Sequence, residues 1–324
     1  MKESHPFLHS SSNKRYYTYD YFLKERFGQK CFKIPLDAGF TCPNRDGRKG
    51  RGGCTFCSAR GSGDFTRGPL PIKRQFDEMR EILHRKWPKA GYIAYFQAYT
   101  NTYAPLDQLK ALYEQALELD GVVGLSIATR PDCLPDKTAA YLHDLAKQTF
   151  LTIELGLQSI HDATARRINR CHTYQEFLDG YRKLEGISRC VHIINGLPGE
   201  NADMMRQTAQ AVGSLAPEQI KIHLLHVIRG TALAAEYERG EFEAMTLSDY
   251  VNIVCDQLER LPGDTVIGRV TGDGVKEDLI APLWSLKKFV VMNEIDKELK
   301  RRDSWQGKFR NDEDKRRKYE KDGE

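Results

Sequence analysis

The chain has 324 residues, of which 40% are hydrophobic and 29% charged, and its formal net charge is +4. That length suits one large domain of (β/α)-barrel size or two modest ones, and the composition is ordinary for a globular protein. No apolar run is long enough to cross a bilayer and the N-terminus lacks the apolar stretch of a signal peptide, so no membrane partner and a cytoplasmic location are expected. The mild basic balance is compatible with a nucleic-acid partner but falls short of the excess that would argue for one.

From residue 31 to residue 225, strand-like runs alternate with helical patterns. The runs are Cys31–Asp37, Tyr92–Gln97, Val122–Ile127, Phe150–Leu155, Val191–Asn195 and Ile220–Leu225. Helical periodicity falls between them over Phe76–Lys86, Leu106–Leu119, Thr138–Lys147, Tyr174–Leu184 and Asp203–Leu215. Such alternation implies parallel pairing with right-handed crossovers, which makes a partial (β/α)6 TIM-like barrel. In barrels of this kind, chemistry collects on the loops at the C-terminal ends of the strands. Residues 1–30 read as an N-terminal extension, 31–230 as the barrel and 231–300 as a mainly helical extension packed on it. That last part carries helices near Tyr250–Leu261 and Leu283–Leu299 and a short run at Thr265–Val270. The stretch 301–324 is dense in charge and poor in apolar residues, so it is expected to be a solvated tail.

The loop after the first run carries the strongest signal. It reads Cys42-Pro-Asn-Arg-Asp-Gly, then Gly-Gly-Cys54-Thr-Phe-Cys57. Structural zinc sites fill all four positions with protein ligands, whereas a [4Fe–4S] cluster held by three thiolates keeps one iron open. Phe56 can shield such a cluster from water. The bland alternative is a zinc knuckle in an RNA-binding protein, with Cys31 as fourth ligand; no second close Cys/His pair follows to support it. Cys133, Cys171, Cys190 and Cys255 are scattered singly and read as core thiols rather than a disulfide framework. Arg45, Arg48, Lys49, Arg51 and Arg60 make the loop basic, either to guide a phosphate-rich substrate or simply as a solvated loop. Aromatics and basic residues alternate over Lys14–Tyr19, a weak nucleic-acid signal.

Together with later segments, this loop resembles the radical S-adenosylmethionine (SAM) superfamily, in its YtqA/YhcC-type branch related to the Elongator catalytic-subunit family. The gap from Cys42 to Cys54 is longer than the superfamily's commonest spacing and fits this branch, and Ala281-Pro-Leu-Trp284 extends the likeness towards the end of the chain. The resemblance implies a [4Fe–4S] cluster on Cys42, Cys54 and Cys57 as the catalytic and metal-binding residues. It also implies SAM on the open iron, and reductive cleavage of SAM to methionine and a 5′-deoxyadenosyl radical.

Further site residues are expected from the same resemblance. Gln97-Ala-Tyr-Thr100-Asn stands where relatives bind the methionine amine with Gly-Gly-Glu, leaving Gln97, Thr100 and backbone carbonyls as substitutes. Thr129-Arg130-Pro-Asp132 resembles an Elongator-type segment, with Ala128 in place of its acidic residue. Arg130 either binds an anion of the substrate or pairs with Asp132. Glu154-Leu-Gly-Leu-Gln158-Ser, followed by Ile168-Asn-Arg170, implies Gln158 at the SAM ribose and Arg170 at its carboxylate, where a guanidinium fork fits two oxygens, with Glu154 as a further cofactor-binding residue. His192-Ile-Ile-Asn195-Gly196-Leu-Pro-Gly resembles the adenine-side segment, with His192 either orienting the ribose or serving the core. Lys221 and His223 share a strand face and are substrate candidates. The branch is associated with tailoring the C5 side chain of the wobble uridine in tRNA, so tRNA is the expected substrate and a carboxymethylaminomethyl-type group the expected target. A one-electron reductant such as flavodoxin or ferredoxin is the expected partner. Radical chemistry on a small molecule, as in the related oxygen-independent porphyrinogen oxidases, is the enzymatic alternative.

Overall fold

Parallel strands need long crossovers, and the helical segments between the apolar runs supply them. The computed structural model describes residues 7, 9, 10, 12–61, 66, 68, 70–272 and 274–310. Its elements begin with α1 (Tyr19–Phe27), β1 (Cys31–Leu36), α2 (Ile72–Lys86), β2 (Gly91–Phe96), α3 (Leu106–Leu117), β3 (Val122–Thr129) and α4 (Asp136–Ala146). They continue with β4 (Phe150–Gln158), α5 (Asp162–Arg167), α6 (Tyr174–Arg182), β5 (Ser188–Asn195), α7 (Ala202–Ser214) and β6 (Gln219–Leu224). After them come β7 (Val227–Ile228), α8 (Ala232–Glu238), α9 (Leu247–Leu258), β8 (Val266–Arg269), β9 (Leu279–Ala281) and α10 (Lys288–Arg301).

The main sheet has seven strands in the order β1-β2-β3-β4-β5-β6-β8, all neighbours parallel, and it curls into a half-barrel. This is the expected partial barrel with one strand more. The short run near Thr265 lies beyond the helical units, yet it docks on β6 with Gln219 opposite Val266 and Lys221 opposite Arg269. A second, two-stranded antiparallel sheet joins β7 to β9.

Alternation along each strand sorts its side chains. Ile34 and Leu36, Leu151, Ile153 and Leu155, Val191 and Ile193, and Ile220 and Ile222 all join one buried apolar cluster with residues of the surrounding helices. The intervening residues, Lys33, Glu154, His192 and Lys221 among them, share the opposite face, because successive side chains point to opposite sides of a strand. That inner face is unusually polar.

Helix α1 packs against both edge strands, β1 and β8, and the segment before it pairs with β8. Thr18 pairs with Ile267, and Ile267 N–H donates to Tyr17 O at 2.7 Å. Thr18 also caps α1 by accepting from Tyr21 N, and Gly28, with φ of 65°, ends it in the left-handed region that favours glycine. The aromatic stretch at 14–19 therefore serves the fold. Tyr16 and Tyr17 are buried, and Lys14 pairs with Asp296 at 2.5 Å, which removes the basis for a nucleic-acid reading there.

Near the other end, the helix expected from Leu283 starts at Lys288. Residues Leu283–Leu286 form a 3-10 turn after Pro282, which has no N–H to continue a helix into. The tail expected from residue 301 is in part core: the Gln306 amide accepts from Tyr17 N and donates to Pro262 O and Thr265 O. Residues 311–324 of that expected tail lie outside the described residues. No helix among the described residues is long and apolar enough to cross a membrane.

Candidate active site

The cysteine loop leaves the C-terminal end of β1 and is folded by its own backbone. Arg45 N–H donates to Cys42 O, Cys57 N–H to Cys54 O, and Gly53 N–H to Asn44 O, while Thr55 N–H reaches Ile168 O beside α5. Asn44 is fully buried and donates its side-chain amide both to the Cys54 Sγ, at 3.6 Å, and to Asn169 O, at 2.5 Å. Close packing explains Gly50: a Cβ there would stand 2.1 Å from Asn44 Oδ1.

Three thiols meet in this loop. The Cys54 thiol is pulled down to about 7, first by its hydrogen bond with Cys57, then by Arg130, Asn44 and Arg170. Cys57 is held well above the usual thiol range by that same hydrogen bond and by burial, and it also feels the charge of Cys42. Three soft sulfur donors with cationic surroundings fit an iron–sulfur cluster better than a closed zinc site. Phe56, between two of them, packs on the apolar group of Ile168, Leu197, Leu225 and Leu233.

A cavity of about 750 Å³ opens beside Cys57 and runs down the inner face of the barrel. Phe56, Gln97, Gln158, His192, Lys221 and His223 all line it, so the structure brings these expected residues together. Gln158 reaches it from a left-handed backbone, φ 66°, at a bulge between β4 and β5. Apolar Ile194, Leu224 and Leu225 complete the wall near these groups. The mixture of apolar surface and convergent polar groups suits a ligand such as SAM.

Other expected residues are occupied elsewhere. Arg170 is 1% exposed, and its guanidinium donates to the carbonyls of Leu157, Ser159 and His172. Its fork is filled by carbonyls, so it does not present two free N–H groups to a SAM carboxylate; it fastens the turn that carries Asn169. Arg130 makes the bidentate pair with Asp132, both contacts 2.9 Å, and donates to Arg170 O, which corrects its reading as a substrate ligand. Asn195 pairs amide to amide with Gln257 at 2.9 and 2.7 Å, pinning β5 to α9. Gly196, φ 85°, is packed against Met245, and Thr100 is buried with its N–H on Thr41 O.

Glu154, an expected cofactor-binding residue, lies at the floor. It is 1% exposed and accepts from five groups. Lys33 and Ser126 reach Oε1; Tyr95 (2.8 Å), His192 Nε2 (2.7 Å) and Lys221 (2.5 Å) reach Oε2. Burial alone would raise its pKa, but the Lys221 and Lys33 ammoniums hold it well below the carboxylate range. Burial lowers Lys221 to about 8, and burial with the Lys221 charge lowers His192 to about 4. Glu154, Cys190 and His192 hold ligand atoms within 4.8 Å of one another, but the two ammoniums already balance the carboxylate, leaving little call for a metal ion. Lys33, Tyr95 and Ser126 were missed in the sequence. The available signal was a lysine in the middle of an otherwise apolar strand, Cys31-Phe-Lys-Ile-Pro-Leu36.

Cys31 is the first residue of β1, while the cysteine loop follows the last. The two lie at opposite ends of the barrel wall, which argues against Cys31 as a fourth ligand. Cys31→Ala is expected to leave the iron content of the reconstituted protein unchanged; loss of a quarter or more of the bound metal would restore the zinc-knuckle reading.

Comparison with known proteins agrees with this geometry. The model of the Radical SAM superfamily matches residues 44–212, and that of the Radical_SAM C-terminal domain matches residues 217–301. Protein YtqA of Bacillus subtilis (strain 168) is 51% identical over 312 residues, covering 95% of this chain and 97% of its own. Protein YhcC of Escherichia coli (strain K12) is 37% identical over 281 residues, covering 86% of this chain and 90% of its own. Among solved structures, the archaeal Methanocaldococcus infernus Elp3 with an N-terminal deletion superposes with a TM-score of 0.60 at 17% identity. That match covers 83% of this chain and 63% of the Elp3 chain, and it speaks to the fold alone.

Proposed function

This chain belongs to the radical SAM superfamily, and from that premise we propose that it tailors the C5 side chain of wobble uridine in tRNA, at a carboxymethylaminomethyl-type group. The enzyme class itself follows from the family and its [4Fe–4S] and SAM cofactors. The observation that carries the reading is the three-thiol loop opening on a cavity lined by Gln97, Gln158 and His192.

In this proposal Cys42, Cys54 and Cys57 hold the cluster and leave one iron for SAM. When bound, the cluster and SAM would supply radical chemistry able to abstract a hydrogen atom, at the expense of one electron taken up by the cluster. The chain's own residues do the rest. Gln97, Gln158 and His192 orient SAM by hydrogen bonds, while Phe56, Ile194 and Leu225 keep water from the reacting centre. Glu154 serves SAM only indirectly, by holding His192 in place. Arg170 and Arg130 act as positioning residues that fix the loop through carbonyls and Asp132. A small electron carrier such as flavodoxin or ferredoxin would deliver the electron, and the cytoplasm is the proposed location.

Support for an RNA substrate comes from the cavity's surroundings. Arg48, Arg51 and Arg60 are exposed on the cysteine loop, whereas Lys49 is engaged with Asp132 and Glu176. Lys288 lines the cavity, and its neighbour Phe289 is 79% exposed, a face on which a base can stack.

The test is the tRNA of a strain lacking the gene. Nucleoside mass spectrometry is expected to show loss of one C5-modified uridine and accumulation of its precursor. An unchanged nucleoside profile, with 5′-deoxyadenosine still formed by the purified protein, would move the reading to a small-molecule substrate.

A further inference from the structure

The barrel floor contains more positive charge than its own carboxylate neutralises. Lys33 and Lys221 approach different oxygens of one carboxylate, Glu154, and that carboxylate already accepts from Ser126, Tyr95 and His192 as well. His192 and His223 are held neutral at pH 7, chiefly by burial. Arg269, opposite Lys221 in the sheet, lines the same cavity, so three cationic side chains surround the one carboxylate. Buried charge of this kind is costly unless it is paired.

Both lysines line the cavity. Each is the third residue of its six-residue strand, so the pair sits below the strand ends on which the cysteine loop rests. Lys221 directs N–H groups to Glu154 and the Tyr95 hydroxyl, and an ammonium carries three. His223, on the same strand face, has a buried Nε2 with no hydrogen-bond partner. A cavity of about 750 Å³ lies towards the upper end of the roughly 300–1,000 Å³ that small-ligand sites occupy, which leaves room beyond SAM.

We infer that the floor of the barrel is a carboxylate-binding site, in which Lys33 and Lys221 receive the anionic end of the substrate's side group. A carboxymethylaminomethyl-type group ends in a carboxylate, and that is the anion these cations would receive. The inference rests on the proposed function and deepens it. It makes a carboxylate on the uridine side chain the feature the enzyme selects, and it names the specificity-determining residues.

The experiment measures binding of two anticodon stem-loop hairpins to the reconstituted protein, one bearing carboxymethylaminomethyluridine and one methylaminomethyluridine. Wild type is expected to prefer the first by about tenfold or more, the size of one charge-assisted hydrogen bond. Lys221→Met keeps most of the stem's volume and leaves Glu154 paired one to one with Lys33; it should bring the two affinities together. Lys33→Met is the second variant, and thermal melting establishes that each is folded. Equal affinities in wild type overturn the site. A variant that loses SAM affinity while keeping the hairpin preference also overturns it, because the charge then serves SAM. Binding of neither hairpin removes the RNA reading but not this one, which N-methylglycine then decides. Stabilisation of wild type but not Lys221→Met by N-methylglycine, with none from dimethylamine, upholds a carboxylate site for a small substrate. No stabilisation by either overturns it.

Discussion

Alanine in place of Cys42, Cys54 or Cys57 is expected to abolish 5′-deoxyadenosine formation, a fall of at least about 10³-fold, together with iron retention. The size of the effect follows from ligand number. A cluster held by three thiolates has no spare protein ligand, and losing one leaves two irons open and the cluster labile. The remaining thiols cannot substitute: Cys133, Cys190 and Cys255 are buried, and Cys31 begins the strand at the far end. Cys171 is the stringent control, because it is half-buried next to Asn44 and Gly50, and its thiol donates to Asn169 Oδ1 at 3.2 Å. Cys171→Ala should keep its iron. Iron and sulfide analysis beside chromatography of the products separates the cases. Retention of a full cluster by any of the three alanine variants would remove that cysteine from the ligand set.

Glu154→Gln is expected to produce the largest loss of stability of any conservative substitution in the barrel, about 3–5 kcal/mol, the range for leaving a buried charge without its partner. The amide keeps the shape but leaves Lys33 and Lys221 facing each other with no anion between them. Urea denaturation measures the change. The double variant Glu154→Gln with Lys221→Met should recover part of the loss, since one ammonium is removed; additive losses would mean that the network contributes through packing alone. The same carboxylate predicts acid sensitivity. Its folded pKa lies below the unfolded value of about 4.3, so its contribution is complete above that pH and is lost as the pH falls through the lower folded value. Glu154→Gln should therefore flatten the acid limb of the stability curve.

The parts of this protein legible in the sequence are those set by periodicity and by unusual residues at close spacing. Six strands and the helices between them follow from apolar periodicity, and the cysteine loop from its spacing. The seventh strand was harder to see, because four residues beyond the repeating pattern give almost no period. Strand faces account for most of the surprises at the site. Gln158, His192, Lys221 and His223 point inwards because they alternate with Leu157, Val191, Ile193, Ile220 and Ile222, which face the helices. Arg170 and Asn195 have the chemistry of ligands but are surrounded by backbone carbonyls and by Gln257, and such partners come from other parts of the chain. Lys33 and Glu154 are more than a hundred positions apart in sequence. Only the curl of the sheet makes them neighbours.

The tie between Gln306 and Tyr17 sets a timetable for synthesis. These partners are 289 residues apart, and the segment containing Tyr17 pairs with β8 at the edge of the sheet. At roughly 5–20 residues per second, the ribosome makes the second partner roughly fifteen seconds to a minute after the first. Throughout that interval the N-terminal segment lacks both its β8 partner and Gln306, although the cysteine loop has already emerged. Cluster delivery and chaperone protection therefore compete for the same nascent chain, and expression at a slower translation rate lengthens the time in which an unfinished barrel can aggregate or lose its thiols to oxidation.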